Sequence, residues 1–242
     1  MGAVGLPVPR LDGAGTGEET WRASRELDRL PRWTPDAPPS GRAMIVAPHP
    51  DDEILGVGGT WARLADAGVD VTIVAVTDGE RSHPGKAAEL RVRRPLESVA
   101  AAVRLGVPPA RTIRLGHPDG GIDEGRLGAE LLDVCGPGDL VLAPWDRDGH
   151  PDHDQVGRAA LAAGRGQRAQ VLAYLVWAWH WASPDGGLPW DRALRVDLGV
   201  ELAGHKRAAV SRFASQLGGP QPILPATALE RLTRSFEVLL RV

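Results

Sequence analysis

Sulfur and aromatic residues are scarce: the 242-residue chain has one cysteine, one tyrosine, two phenylalanines and two methionines. A single thiol closes no internal disulfide, and Cys135, in LLDVCGPGD, has no CxxC companion, so a disulfide framework and a cysteine-based metal site are both excluded. A reduced, cytoplasmic setting is the expectation. No run of about eighteen apolar residues occurs, and the N-terminus MGAVGLPVPRLDGAGTGEETW lacks a basic segment leading into an apolar one, so neither a membrane-spanning helix nor a secretory leader is expected. A large excess of charge of one sign is also missing. The formal net charge is −3, which provides no basic field to gather nucleic acid or an anionic membrane, and leaves a small molecule as the expected partner. No segment speaks to oligomeric state.

Glycine and proline are plentiful, and residues 1–40, with GAGTG and PRWTPDAPPSG, read as an N-terminal arm in which Trp21 and Trp33 are available for docking. Residues 41–242 read as one domain, a size that buries a substantial core. From Ala43 onward short aliphatic runs (AMIVAP, VDVTIVAVT, ARTIRLG, DLVLAP, QVLAYLVWAW) alternate with helical patterns (EILGVGGTWARLADAG, AAELRVRRPLESVAAAVRLG, GRLGAELLDVC, PDHDQVGRAALAAG). That rhythm predicts an α/β, Rossmann-like domain with a mostly parallel sheet flanked by helices. RALRVDLG and SFEVLLRV, separated by the helical VELAGHKRAAVSRFASQ, are expected to extend the sheet. Strand alternation would put Trp177, Trp179 and Trp181 on one face, either as core or as a platform for a sugar or aglycone. His180 faces the other way without an assigned role.

The polar residues gather at the predicted strand ends, where ligands bind in open α/β sheets. HPDDE follows the first strand, TDGE the second, HPDG the third and WDRDGHPDH the fourth. An N-cap accounts for one or two of the acids in HPDDE. Three consecutive carboxylates repel one another unless a cation compensates them, and a metal is the strongest compensation available. In HPDH, Pro151 suits the first helical position and places His150 and His153 one turn apart. Two imidazoles and a carboxylate form the N/N/O set that holds a catalytic zinc with one position open to water.

Taken together, APHPDDEILGVGGT, TDGE, LRVRRPLESVAAAVRLGV, LGHPDGG and GHPDHDQVGRAA resemble the PIG-L (LmbE-like) family of zinc-dependent N-acetylglucosaminyl deacetylases, over roughly residues 43 to 165. The resemblance implies His49, Asp52 and His153 as metal ligands, Asp51 as general base, and His150 as general acid or oxyanion stabiliser, with Asp152 orienting the imidazoles. It also implies Arg94 and Asp119 as substrate contacts. Glu53 is read as a cap or brace behind the ligands, Asp78 as a further brace, and the glycines of GVGGT as sites of close helix–sheet packing. Surrounding acids are expected to raise the pKa of His150. The implied substrate is an N-acetylated amino sugar or its glycoconjugate, the cofactor Zn²⁺, with Fe²⁺ or Co²⁺ accepted by the same donors. Two positions depart from the family: Asp148 stands where some members carry an aromatic, and Phe213 where many carry a histidine. Arg, Ala and Gly usage has the look of a high-GC bacterial coding bias.

Other readings compete with this one. One is an amidase acting on a related thiol-glycoside or natural-product conjugate. A second is a non-catalytic sugar-binding module, which has no use for Asp51 and His150 beside an open metal. A third is the facial triad of non-haem iron oxygenases, which is ordinarily built on all-β scaffolds.

Overall fold

The computed structural model describes residues 13–220 and 222–242, so residues 1–12 of the expected arm lie outside the described residues. Seven strands form one sheet: β1 (Arg42–Ala47), β2 (Asp70–Thr77), β3 (Arg111–His117), β4 (Leu140–Pro144), β5 (Gln170–Tyr174), β6 (Ala193–Asp197) and β7 (Phe236–Arg241). Their order is β3-β2-β1-β4-β5-β7-β6. The first five are parallel; β7 runs antiparallel to β5, and β6 antiparallel to β7, so the C-terminal strands extend the sheet. The helices are α1 (Glu18–Ala23), α2 (Glu26–Arg29), α3 (Asp52–Leu55), α4 (Gly58–Asp66), α5 (Ala87–Leu105), α6 (Glu124–Val134), α7 (Pro151–Gln167), α8 (Ala178–Trp181), α9 (Gly199–Val210), α10 (Ala214–Leu217) and α11 (Ala226–Leu232). No helix among the described residues is long and apolar enough to cross a membrane.

Alternation of side chains across the buried strands splits the core. Ala43 and Ile45 face one layer with Trp61, Leu64 and Leu105, while Met44 and Val46 face the other with Leu127, Leu131 and Val156. The chain leaves β1 toward β2 and leaves β4 toward β5, so the direction of winding reverses between β1 and β4. HPDDE and HPDH follow these two strands and flank the crevice that the reversal opens. Helix α7 is seated deeply because Gly157 has no side chain: a Cβ there would lie 2.6 Å from the Pro144 carbonyl oxygen.

The helix predicted over EILGVGGTWARLADAG is broken into α3 and α4. Glu237 of β7 causes the break by accepting hydrogen bonds from the Gly59 and Thr60 amides, both at 2.7 Å, at the start of α4. Lys206 of α9 donates to Glu237 at 2.6 Å and to the Leu55 carbonyl, at the end of α3, at 2.8 Å. Each half-helix therefore has its end groups satisfied by a buried ion pair. Gly56 lies in the break against the ring of Tyr174, in keeping with the expected close packing.

Strand β5 also ends earlier than QVLAYLVWAW suggests. The amides of Val176, Trp177 and Ala178 donate to the carboxylate of Asp148 at 3.0, 2.9 and 2.9 Å, and this three-amide cradle turns the chain into α8. The three tryptophans consequently share no face. Trp179 packs edge-on against the fully buried Trp21, with centroids 5.1 Å apart, and Trp181 donates its indole N–H to the Asp148 carbonyl at 2.7 Å. Trp177 alone of the three borders the crevice.

Candidate metal centre

His49 and Asp52 come from the β1–α3 loop and His153 from the first turn of α7. Asp52 Oδ2 lies 3.3 Å from His49 Nδ1 and 3.2 Å from His153 Nε2. A tetrahedral ion with bonds of about 2.1 Å separates its ligand atoms by about 3.4 Å, so these spacings suit zinc or a similar divalent ion. The donors are shielded: His153 is fully buried, and Asp52 and His49 are 2% and 9% exposed. Neither ring nitrogen of His153 makes a hydrogen bond of good geometry among the described residues; Nδ1 faces Asp148 and Nε2 faces Asp52 as ion pairs, which leaves Nε2 on the side where a metal would bind. Two imidazoles and a carboxylate fit a divalent metal.

The ligands' other faces are held by carboxylates. His49 Nε2 lies 3.1 Å from Asp152 and 3.4 Å from Asp119. Asp152 is steadied in turn by the Gly120 amide at 2.8 Å. His153 Nδ1 lies 2.8 Å from Asp148 Oδ2, within the fully buried amide cradle. Carboxylates behind metal-binding imidazoles fix the tautomer and raise ligand basicity. Asp148, which in sequence is only a departure from the family, is therefore the partner of a ligand; its place five residues before His153 was the available signal. Replacing it with Asn keeps the shape but removes the charge, and should weaken Zn²⁺ binding by about 10–100-fold, read by competition with a chelating dye.

Asp51 adjoins the ligands but is not one of the three donors. Its φ of 152° is unusual for a residue with a side chain, and is the kind of strain that persists where surroundings impose it. Arg94 imposes part of it, donating to Asp51 Oδ2 at 2.9 Å, to the Pro50 carbonyl at 3.2 Å and to the Gly79 carbonyl at 2.8 Å. Expected from the resemblance to touch substrate, Arg94 lines the crevice, and one of these three hydrogen bonds holds the Asp51 carboxylate. Glu53 accepts the Asp51 amide at 3.1 Å and binds the Ser98 hydroxyl. Asp119 reaches the crevice and accepts the Arg81 amide at 2.8 Å. Asp78 stands apart: its carboxylate is taken by Arg114 of β3 at 2.5 Å, away from the ligands it was expected to brace.

The rings of His49, His150 and His153 lie within 5.0 to 5.5 Å of one another. Burial pushes Asp51 up to about 6, opposed by Arg94 and reinforced by Asp52. Burial lowers His153, but Asp52 and Asp148 outweigh it and hold the imidazole at about 9; bonds to Asp119, Asp152 and Asp52 likewise lift His49 well above its usual value. Those two imidazolium charges add to burial in pulling His150 down to about 4, so the expected increase by surrounding acids is reversed. His150 Nδ1 accepts the Asp152 amide at 3.2 Å, so the neutral ring carries its proton on Nε2, the nitrogen left to the crevice.

The crevice, about 200 Å³, is also lined by Arg81, Ser82, Gln216, Ile223 and Leu224. The tail thus contributes to it despite Phe213, which is buried in the core.

The family profile described as GlcNAc-PI de-N-acetylase, PIG-L, matches residues 44–164, half of the chain. The diacetylchitobiose deacetylase of Thermococcus kodakarensis is 32% identical over 130 residues, covering 50% of this chain and 48% of its own length. The 1D-myo-inositol 2-acetamido-2-deoxy-alpha-D-glucopyranoside deacetylase of Streptomyces avermitilis is 32% identical over 188 residues, covering 64% and 60%. The chain thus spans about half to three-fifths of these two relatives. Among solved structures, the N,N'-diacetylchitobiose deacetylase of Pyrococcus horikoshii shares the fold, with a TM-score of 0.61 over 89% of this chain and 83% of that one at 23% identity. With the profile spanning every ligand and both flanking residues, the chain belongs to the PIG-L (LmbE-like) family of N-acetylglucosaminyl deacetylases.

Proposed function

We propose that the protein is a zinc-type metal-dependent hydrolase that removes the N-acetyl group from an amino sugar or its glycoconjugate, working in the cytoplasm. One observation carries this reading: a shielded triangle of donors, His49, Asp52 and His153, opens on a crevice lined by Asp51 and by His150, which forms a second donor set with His49 and Asp152. The deacetylases among the relatives supply the substrate class.

A bound divalent metal supplies an acidified water and polarises the amide carbonyl. Asp51, locked by Arg94, takes a proton from the attacking water. His150, neutral at pH 7, donates from Nε2–H to the carbonyl oxygen as it gains charge. The proton held on Asp51 then passes to the departing nitrogen as the C–N bond breaks. This gives His150 the oxyanion role in place of the general-acid role.

Asp51 works only when ionised. Burial lifts its carboxyl to about 6 in the metal-free fold, so kcat/KM is expected to rise with pH along an acid limb as Asp51 ionises, a limb that Asp51→Asn should lose; an unchanged acid limb in that variant would contradict the assignment.

The hydrolase reading is tested by incubating metal-loaded protein with N-acetylglucosaminides in ¹⁸O water. Acetate carrying one ¹⁸O, with an equal amount of free amine, is expected; metal-loaded protein that yields neither product overturns the reading.

A further inference from the structure

Helix α5 is apolar on a face that the described residues leave open to solvent. Its buried side carries Leu90, Arg94, Glu97, Ala101 and Leu105, and there Arg94 holds Asp51 while Glu97 holds Ser215 of α10. The outer side carries Val92, Leu96, Val99 and Val103, which are 65%, 63%, 62% and 73% exposed. These are four of the seven large apolar side chains exposed among the described residues, and they form one stripe. Ala88, Pro95 and Ala100 beside it are small, and the groove along its edge toward Arg212 has a volume of about 530 Å³. None of the four stripe residues lines the crevice.

The stripe matches its own reverse. Spacings of 4, 3 and 4 residues are those of a coiled-coil seam and read the same in both directions, so a reversed copy presents Val103 opposite Val92 and Val99 opposite Leu96. Charge favours the same arrangement. In the N-terminal half Glu89 and Glu97 share Arg93, at 3.3 and 2.9 Å, and Arg91 is held by Glu80, whereas Arg104 lies in the last turn. An antiparallel pair sets each basic end against the other copy's acidic half and opposes the helix dipoles; a parallel pair sets like against like. The four side chains offer on the order of 400 Å² per copy, a patch of the size that is often functional. Burial in two copies, together with the small residues beside them, reaches about 1,000 Å², the low end of specific interfaces, and so gives a Kd in the micromolar range.

We propose that α5 is a homodimerisation face, on which a second copy of this chain docks its own α5 antiparallel about a two-fold axis between Leu96 and Val99. A lipid surface suits the stripe less well, because α5 has no aromatic residue to anchor it there.

The test is sedimentation velocity on the metal-loaded full chain from about 1 to about 200 µM, over which the mass should rise from one chain toward two. Leu96→Glu and, independently, Val99→Arg bury an unpaired charge in the seam and should weaken association at least about tenfold. Both positions are exposed in the single chain, so at about 1 µM the variants should keep the wild-type metal content and melting temperature. Orientation is read by oxidising a mixture of Val92→Cys and Val103→Cys chains, the natural Cys135 being buried. The mixture should give a disulfide between the two variants and neither variant alone should link, because like positions lie about 16 Å apart along an antiparallel pair.

A wild type that stays monomeric at about 200 µM would overturn the dimer, and Val99-dependent binding of that monomer to phosphatidylglycerol vesicles would make a lipid surface the occupant instead. Dimers that survive both charge substitutions, or a disulfide between two Val92→Cys chains, would overturn it equally.

Discussion

Asp51→Asn should retain its metal and lose about 10²–10⁴-fold in kcat/KM, the usual contribution of a positioned general base. Asparagine is nearly the same shape and accepts the Arg94 hydrogen bond through its amide oxygen. The loop that carries Asp52 should therefore keep its path, and the three donors their spacing. What disappears is the ability to take a proton. The check is a pair of measurements on one preparation, metal per chain and rate of acetate release. Full metal content with a collapsed rate is expected; a variant as active as wild type would remove Asp51 from the chemistry.

His153→Ala should cost both the metal and, in metal-free protein, much of the stability. One of three donors is lost, so affinity should fall further than the about 10–100-fold expected for an outer partner such as Asp148. In metal-free protein His153 lies between two carboxylates, Asp52 at 3.2 Å and Asp148 at 2.8 Å, all three nearly inaccessible to water. Removing one partner of a buried ion pair costs about 3–5 kcal/mol because the remaining charge has no solvent to turn to. The pH dependence carries a signature. The folded-state pKa of His153, about 9, lies above its unfolded value of 6.5, so its stabilising contribution is complete below pH 6.5 and lost as pH rises through about 9. Chelator-treated wild type should lose stability over that interval, and His153→Ala should lose less, as read by urea denaturation from pH 6 to 9.5. Equal slopes in the two proteins would show that His153 carries no charge in the metal-free fold.

A metal-holding cluster at the strand ends was legible in sequence because strand-end position and charge repulsion are local properties, whereas the choice of His49, Asp52 and His153 among its members came from the family resemblance. HPDDE and HPDH each end a short aliphatic run, and sheet topology makes such loops neighbours across a point of reversal. What the sequence concealed depends on contacts between distant segments. Asp148 reads as a lost aromatic until its carboxylate is seen to gather three amides from beyond β5, and that same gathering is why strand alternation misplaces Trp179 and Trp181. Arg94 reaches Asp51 across 43 positions of sequence. The low pKa of His150 follows from burial and, added to it, from two imidazolium neighbours whose own charge is set by acids from three loops. Gln216, Ile223 and Leu224 enter the crevice from a tail whose helical pattern is interrupted, so neither periodicity nor motif marks them.

The most direct test of the central claim is to strip the protein with a chelator and add Zn²⁺ in sub-stoichiometric steps, measuring bound metal and acetate release from an N-acetylglucosaminide at each step. The rate should be near zero in stripped protein and rise in proportion to occupancy until the His49–Asp52–His153 site is filled. Full activity in stripped protein, or a filled site that releases no acetate, would contradict the account.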